Sequence, residues 1–188
     1  MAVTKQELRE AFKSYQSDKG FVHGYDQMYG DVFAQIGNPE SLLEIGFLRG
    51  YSAAAWKSLF PSADLQFVDK REPTETIGSA EGIPLLIMDS ARSAITEALG
   101  RNFDIIIDDG DHRPDFQWQT FLNLLPRWTK AYVIEDVFTK ENVELLRKRL
   151  KSKGFRNIHC YQSKFDKATV RINGQQVTDS YYAIAVYR

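Results

Sequence analysis

Short apolar runs that each break into a turn and then a helical pattern recur along most of this chain, and that rhythm narrows its fold more than any single motif. SLLEIGF (41–47) reads as a strand, with SAAAWKSLF (52–60) as the helix after it. DLQFVD (64–69) and IPLLIMD (83–89) read as two more strands, the latter followed by helical SAITEALG (93–100). FDIIIDD (103–109) leads into FQWQTFLNLLPRW (116–128), and AYVIEDV (131–137) leads into KENVELLRKRLKSKG (140–154), a helix ended by Gly154. Strands alternating with helices imply a parallel sheet covered on both faces. The unbroken Ile105, Ile106 and Ile107 suit a strand buried on both sides. FRNIHCYQ (155–162) and YYAIAVYR (181–188) have no helix between them. They flank Asn173-Gly174, a hairpin signal, so this end of the sheet is predicted to be antiparallel. The expected class is α/β, a doubly wound seven-stranded, mostly parallel sheet with an antiparallel C-terminal strand.

Ahead of the sheet, Tyr25, Met28, Tyr29, Val32, Phe33 and Ile36 fall at helical spacing, the pattern of a helix covering a core. The expected organisation is one domain over 1–188, with cover helices or a lid in 1–38 and the sheet in 39–188. The 24 basic and 25 acidic residues leave a formal charge of −1, which gives no reason to expect a nucleic-acid partner. Residues 1–10 carry no apolar signal-peptide core, and no apolar run reaches the roughly 20 residues of a membrane span. With the single Cys160 unable to form an internal disulfide, a cytoplasmic chain without membrane association is expected.

In an open parallel sheet, ligands bind outside the carboxyl ends of the strands. The first strand ends in LEIGFLRGYS, which offers Glu44, Gly46 and Gly50, with Ser52 placed to cap the next helix. The spacing matches neither the G-x-G-x-x-G fingerprint nor a P-loop. Asp69 ends the second strand, about 20 residues on, where an acid can accept ribose hydroxyl protons. Asp89 ends the third strand, within reach of an adenine amino group.

The fourth and fifth strands end on Asp108-Asp109 and Glu135-Asp136. If these strands are neighbours, four carboxylates share one crevice and repel unless protons or a cation offset them. Oxygen ligands suit Mg²⁺, with Mn²⁺ or Ca²⁺ as alternatives, whereas zinc would recruit His or Cys. Such an ion stabilises an alkoxide, and a vicinal diol is the natural handle for it. A base must then accept the hydroxyl proton. His112 suits that task by the ordinary imidazole range, and Asp111 is its rival. Lys19, in SDKGFVHGY, could pair with an acidic partner, while His159 and Cys160 read as core or edge residues of a strand.

LLEIGFLRGYSAAAWKSLFPSADLQFVD resembles the cofactor half of the class I S-adenosylmethionine-dependent methyltransferases, a Rossmann-like fold. IIIDDGDH, FLNLLPRW and YVIEDV, with SDKGFVHGYDQMYGDVF upstream, resemble a narrower group. These are the metal-dependent sugar O-methyltransferases of macrolide and aminocoumarin antibiotics, the macrocin O-methyltransferase-like family. The resemblance spans 17–137. It implies that Glu44 and Gly46 line the methionine part of S-adenosyl-L-methionine, that Asp69 holds the ribose, and that Asp89 and Ser90 flank the adenine. It also implies a metal held by Asp109, Glu135 and Asp136, with Asp108 nearer the cofactor or supporting the strand end. The implied reaction is O-methylation of a small polyhydroxylated, sugar-like acceptor; the alternatives are a cofactor-binding enzyme with a protein or nucleic-acid acceptor or a different reaction, and a non-catalytic binding module of the same fold. A chain of this length leaves little room for a substrate domain. The acceptor wall would come from the N-terminal lid, the loop after His112, the Asn173-Gly174 hairpin or a second subunit of a homo-oligomer.

Overall fold

Seven strands form one sheet in the computed structural model, which describes residues 1–172 and 175–188. They are β1 (Ser41–Ile45), β2 (Asp64–Asp69), β3 (Leu85–Ile87), β4 (Phe103–Asp108), β5 (Trp128–Phe138), β6 (Ile158–Ile172) and β7 (Gln175–Tyr187). Their order is β3-β2-β1-β4-β5-β7-β6. Strands β1 to β5 pair in parallel, and β7 pairs antiparallel with both β5 and β6. The predicted class therefore holds, with the reversed strand inserted between β5 and β6. The predicted turn at Asn173-Gly174 lies outside the described residues; the strands on either side of it meet at Ile172 and Gln175.

The helices are α1 (Lys5–Ser14), α2 (Asp18–Phe21), α3 (Asp26–Ile36), α4 (Tyr51–Leu59), α5 (Ile95–Leu99), α6 (Pro114–Leu124) and α7 (Lys140–Ser152). One helix expected over 116–128 is two elements. Pro114 starts α6 early, because a proline at the first helical position gives up only an amide that would lack a partner anyway. Pro126 cannot continue the helix, so Leu125–Arg127 forms a 3₁₀ turn and Trp128 opens β5.

The pleat of β4 divides its isoleucines between two cores. Ile105 and Ile107 join Leu8, Phe12, Tyr29, Phe33 and Trp56 under α1, α3 and α4. Ile106 joins Phe121, Leu124, Leu146 and Leu150 under α6 and α7. Trp56 meets the rings of Phe12 and Tyr29 edge-on at 5.1 and 5.0 Å, so the N-terminal helices share a core with the sheet. Among the described residues, no helix is long and apolar enough to cross a membrane. His159 and Cys160 are exposed on β6, the edge strand.

Candidate cofactor cleft and acid cluster

The sheet reverses its winding between β1 and β4, and the carboxyl ends of these strands are tied together. The Asp109 amide donates to the Ile45 carbonyl at 2.9 Å. Gly46 has φ +100°, and a Cβ there would overlap the Asp109 carbonyl oxygen, so only glycine lets the two rims approach. Asp69 splints the turn that follows: one of its oxygens accepts from the amides of Phe47 (2.9 Å) and Leu48 (3.3 Å), the other from that of Arg71 (3.0 Å). The predicted cap at Ser52 is corrected. Gly50, at φ +84°, is the N-cap of α4, and Ser52 is the second residue of the helix, where its hydroxyl helps to hold the neighbouring Glu44 carboxyl down. The left-handed turn at Gly50 starts the helix before a side-chain cap is needed.

Beside this turn opens a cavity of about 780 Å³ whose wall includes Glu44, Gly46, Asp69, Asp89, Asp109 and His112. Ser52, Ser90, Asp111 and Asp136 line it as well. Gly50 packs beneath the wall against Ala80 and the Phe47 ring. Asp89 accepts from the Ala91 amide at 3.0 Å, and Ser90 is tied to α6 by the Thr120 hydroxyl (3.1 Å) and by Asn123 (3.0 Å). Asp108 stands apart from the cavity. It is buried and accepts a hydrogen bond from the Tyr132 hydroxyl at 3.3 Å. Burial pushes its carboxyl up to about 8, against the opposing effect of the Gly110 amide and Tyr132. Asp108 is therefore not among the residues lining the cavity, and its bond to Tyr132 links the end of β4 to β5.

Glu135 and Asp136 reach the same rim although consecutive strand residues point to opposite faces. A bulge makes this possible: the β5–β7 register shifts between Ile134 and Val137, and Asp136 takes φ +51°. The N-terminal segment then supplies partners to both acids. The Tyr25 hydroxyl donates to Asp136 at 2.7 Å, and the Tyr29 hydroxyl donates to Glu135 in a short bond. The His23 ring stacks on Tyr25, with its Nδ1 3.7 Å from Asp136.

Lys19, whose side chain is 1% exposed, sends its ammonium into the middle of the cluster. It lies 2.6 Å from Asp109, 2.5 Å from Glu135 and 3.2 Å from Glu44. Burial would strip the proton from this lysine, but the three carboxylates outweigh burial and hold it charged. Glu44 also accepts from the Trp56 indole at 2.6 Å. Burial raises the carboxyl groups of Glu44, Glu135 and Asp136 above their ordinary range, with repulsion from Asp109 adding to the effect on each. Lys19 was expected to find an acidic partner. Helical spacing places Tyr25 and Tyr29 on a cover helix, Tyr25 also in the lid segment, and accounts for both without their hydroxyls. The signal that could have found them is a lysine so near an apolar helix, since a lysine is almost never fully buried unpaired.

Two observations fit a divalent cation. Asp109, His112 and Asp136 each place a ligand atom within 4.8 Å of the others. One buried ammonium also faces three carboxyl groups, more than it can offset without protons or a second cation. Glu135 is not in that trio; it lies behind it, held by Lys19 and Tyr29. Of the two candidate bases, Asp111 is locked to Arg113 by bonds of 2.9 and 2.6 Å, with Lys70 at 3.4 Å. The Arg113 bonds hold its carboxyl well below the usual range, so it has little affinity for a proton. His112 is exposed at the cavity wall.

This sheet, its one reversed strand and a cleft at the β1–β4 switch point define the Rossmann-like fold of the class I methyltransferases. Among solved structures, the chain is similar to MycE, a methyltransferase of the mycinamycin biosynthetic pathway in complex with Mg, S-adenosylhomocysteine (SAH) and mycinamycin VI. The two share a TM-score of 0.69 and 21% identity over 96% of this chain and 54% of MycE, so the chain spans about half the length of MycE. It is also similar to the O-methyltransferase TomG from Streptomyces achromogenes, involved in tomaymycin synthesis, in complex with S-adenosylmethionine. Here the TM-score is 0.54 at 14% identity, over 97% of this chain and 88% of TomG. The precorrin-6y C5,15-methyltransferase from Geobacter metallireducens GS-15 shares the fold at a TM-score of 0.55 and 12% identity, over 87% of this chain and 89% of that one. No family model matches the sequence, and neither does any curated protein.

Proposed function

We propose that the chain is an S-adenosylmethionine-dependent, divalent-cation-assisted O-methyltransferase acting on a small polyhydroxylated acceptor. The observation that carries this reading is the meeting of Asp109, His112 and Asp136 at the rim of a cleft whose walls include Glu44, Gly46, Asp69, Asp89 and Ser90. MycE, described with Mg and SAH on the same fold, supports the pairing of ion and cofactor.

When bound, S-adenosylmethionine supplies an electrophilic methyl group, and Mg²⁺ supplies Lewis-acid polarisation of a hydroxyl. Glu44 and Gly46 would line the methionine end, Asp69 would meet the ribose, and Asp89 with Ser90 would flank the adenine. Asp109 and Asp136 would hold the ion, with Glu135 behind them. His112 accepts the acceptor's hydroxyl proton on a ring nitrogen as the oxygen takes the methyl group. The rest of the rate comes from holding acceptor and methyl group in line.

A small acceptor suits the cleft mouth better than a polyanion does. Arg49 is paired with Glu75, and Lys70 and Arg113 share Asp111, so much of the local positive charge is already offset. Titration calorimetry with S-adenosylmethionine, with and without Mg²⁺, followed by a methyl-transfer screen of hydroxylated metabolites, tests the reading. Absence of cofactor binding at millimolar concentration would refute it.

A further inference from the structure

We infer that Lys19 is a built-in cation that occupies the Glu135 side of the acid cluster and thereby confines a divalent ion to Asp109 and Asp136 beside His112. The inference rests on the cation site proposed above and assigns a positioning role to a residue from outside the sheet.

An ammonium group has three N–H donors. Lys19 faces three carboxylates from neighbouring parts of the sheet, Glu44 near the end of β1 at 3.2 Å, Asp109 just after β4 at 2.6 Å and Glu135 at the bulge within β5 at 2.5 Å. Both oxygens of Glu135 are thereby engaged, Oε2 by Lys19 and Oε1 by the Tyr29 hydroxyl. Asp109 is held differently, since Lys19 bonds only its Oδ2 and the side chain remains about a quarter exposed, at 24%. Asp136 faces the cavity, held by Tyr25 and apart from the ammonium's three partners. The trio within ligand distance accordingly contains Asp109, His112 and Asp136 without Glu135.

Charge leads to the same division. An ammonium fixed in a buried site and a divalent ion sharing Asp109 repel one another, so Lys19 lowers the affinity that the bare carboxylates would show. Without it, Glu135 would keep the Tyr29 hydroxyl on Oε1 but lose its cation, and the released Oε2 could join the ion. Lys19 thus sets both which acids are available and how tightly they hold.

The test is a Mn²⁺ titration followed by electron paramagnetic resonance on the full chain without cofactor. The parent is compared with Lys19→Met, Glu135→Gln and the double variant, with folding of each checked by circular dichroism. Glu135→Gln in the parent background should change Mn²⁺ affinity by less than about fivefold, and Lys19→Met should tighten it by about tenfold or more. The double variant should fall between Lys19→Met and the parent, because it keeps the relief from the ammonium's repulsion but lacks the extra acid. Loss of Mn²⁺ binding in Glu135→Gln overturns the inference, as does an unchanged or weaker affinity in a folded Lys19→Met. If Lys19→Met does not fold, the Glu135→Gln arm decides alone. Binding by Lys19→Met with none by the parent upholds the role of Lys19 and removes the metal-dependent reading; binding by neither removes both.

Discussion

Tyr25 and Asp136 hold each other twice. The tyrosine hydroxyl donates to Asp136 Oδ1 at 2.7 Å and accepts from the Asp136 backbone amide at 3.3 Å. One side chain from the N-terminal segment thus fixes both the carboxylate and the backbone of a non-glycine residue in the left-handed region. Such conformations persist only where the surroundings over-determine them. Tyr25→Phe keeps the ring and removes both bonds. It should lower stability by about 1–3 kcal/mol, the usual cost of leaving a buried polar group unpaired. Thermal melts give the stability, and Mn²⁺ titration should show weaker binding as the bulge relaxes.

At Gly46, just after β1, a side chain would run into the Asp109 carbonyl just after β4, and the φ of +100° excludes a comfortable side chain as well. Gly46→Ala should destabilise the fold by about 1–3 kcal/mol or more from strain alone. Because the displaced atom belongs to Asp109, the same variant should lose affinity for the cofactor in calorimetry. A variant with parental melting temperature and affinity would show that the rim yields more easily than its geometry implies.

The candidate bases separate by mutation. Asp111 is held ionised by Arg113 and has little proton affinity to offer, so Asp111→Ala should retain most activity. His112→Ala should lose about 10²- to 10⁴-fold, the usual contribution of a positioned base, together with the acid limb of the pH–rate profile. The reverse ranking would assign the base to Asp111.

Asp109→Asn is expected to abolish cation-dependent methyl transfer while leaving S-adenosylmethionine binding in place. Calorimetry and a methyl-transfer assay, each with and without chelator, separate the two effects. Activity that survives both the substitution and chelation would remove the ion from the reaction.

Asp108 should govern part of the pH dependence of stability. Its carboxyl is raised in the folded chain to about 8, so between about pH 4 and pH 8 the folded state binds more protons than the unfolded state. Stability attributable to this group is therefore greatest below pH 4 and falls as pH rises through that window. Asp108→Asn can still accept from Tyr132, and it should flatten the fall. Denaturant unfolding of parent and variant at pH 5 and pH 8 measures the difference.

The sheet was legible because apolar periodicity reports burial directly. Ile105 to Ile107 announced a strand covered on both faces, and the hairpin signal, although its turn lies outside the described residues, anticipated the antiparallel pairing of β6 with β7. The strand-end acids were legible as a group for the same reason, since each interrupts an apolar run. Orientation within the group was not. Asp108 and Asp109 are adjacent in sequence, yet Asp108 turns into the core beside Tyr132 and Asp109 faces the cleft. The bulge that brings Glu135 and Asp136 to one rim leaves no mark in their identities. Lys19 and Tyr29 lie 90 and 106 positions before the acids they bind, a separation over which spacing carries no information.

Joining three acids at the rim of β1, β4 and β5 to one distant ammonium also ties the histories of these residues together. A lineage that replaced Lys19 with an apolar residue would strand Glu135 as a buried anion, so drift at either position should be followed by change at the other. A buried ion pair can be exchanged for well-packed apolar residues at little cost, whereas loss of one partner is strongly destabilising. Aligned relatives should therefore fall into two groups, one keeping both Lys19 and Glu135 and one lacking both, with few sequences between them.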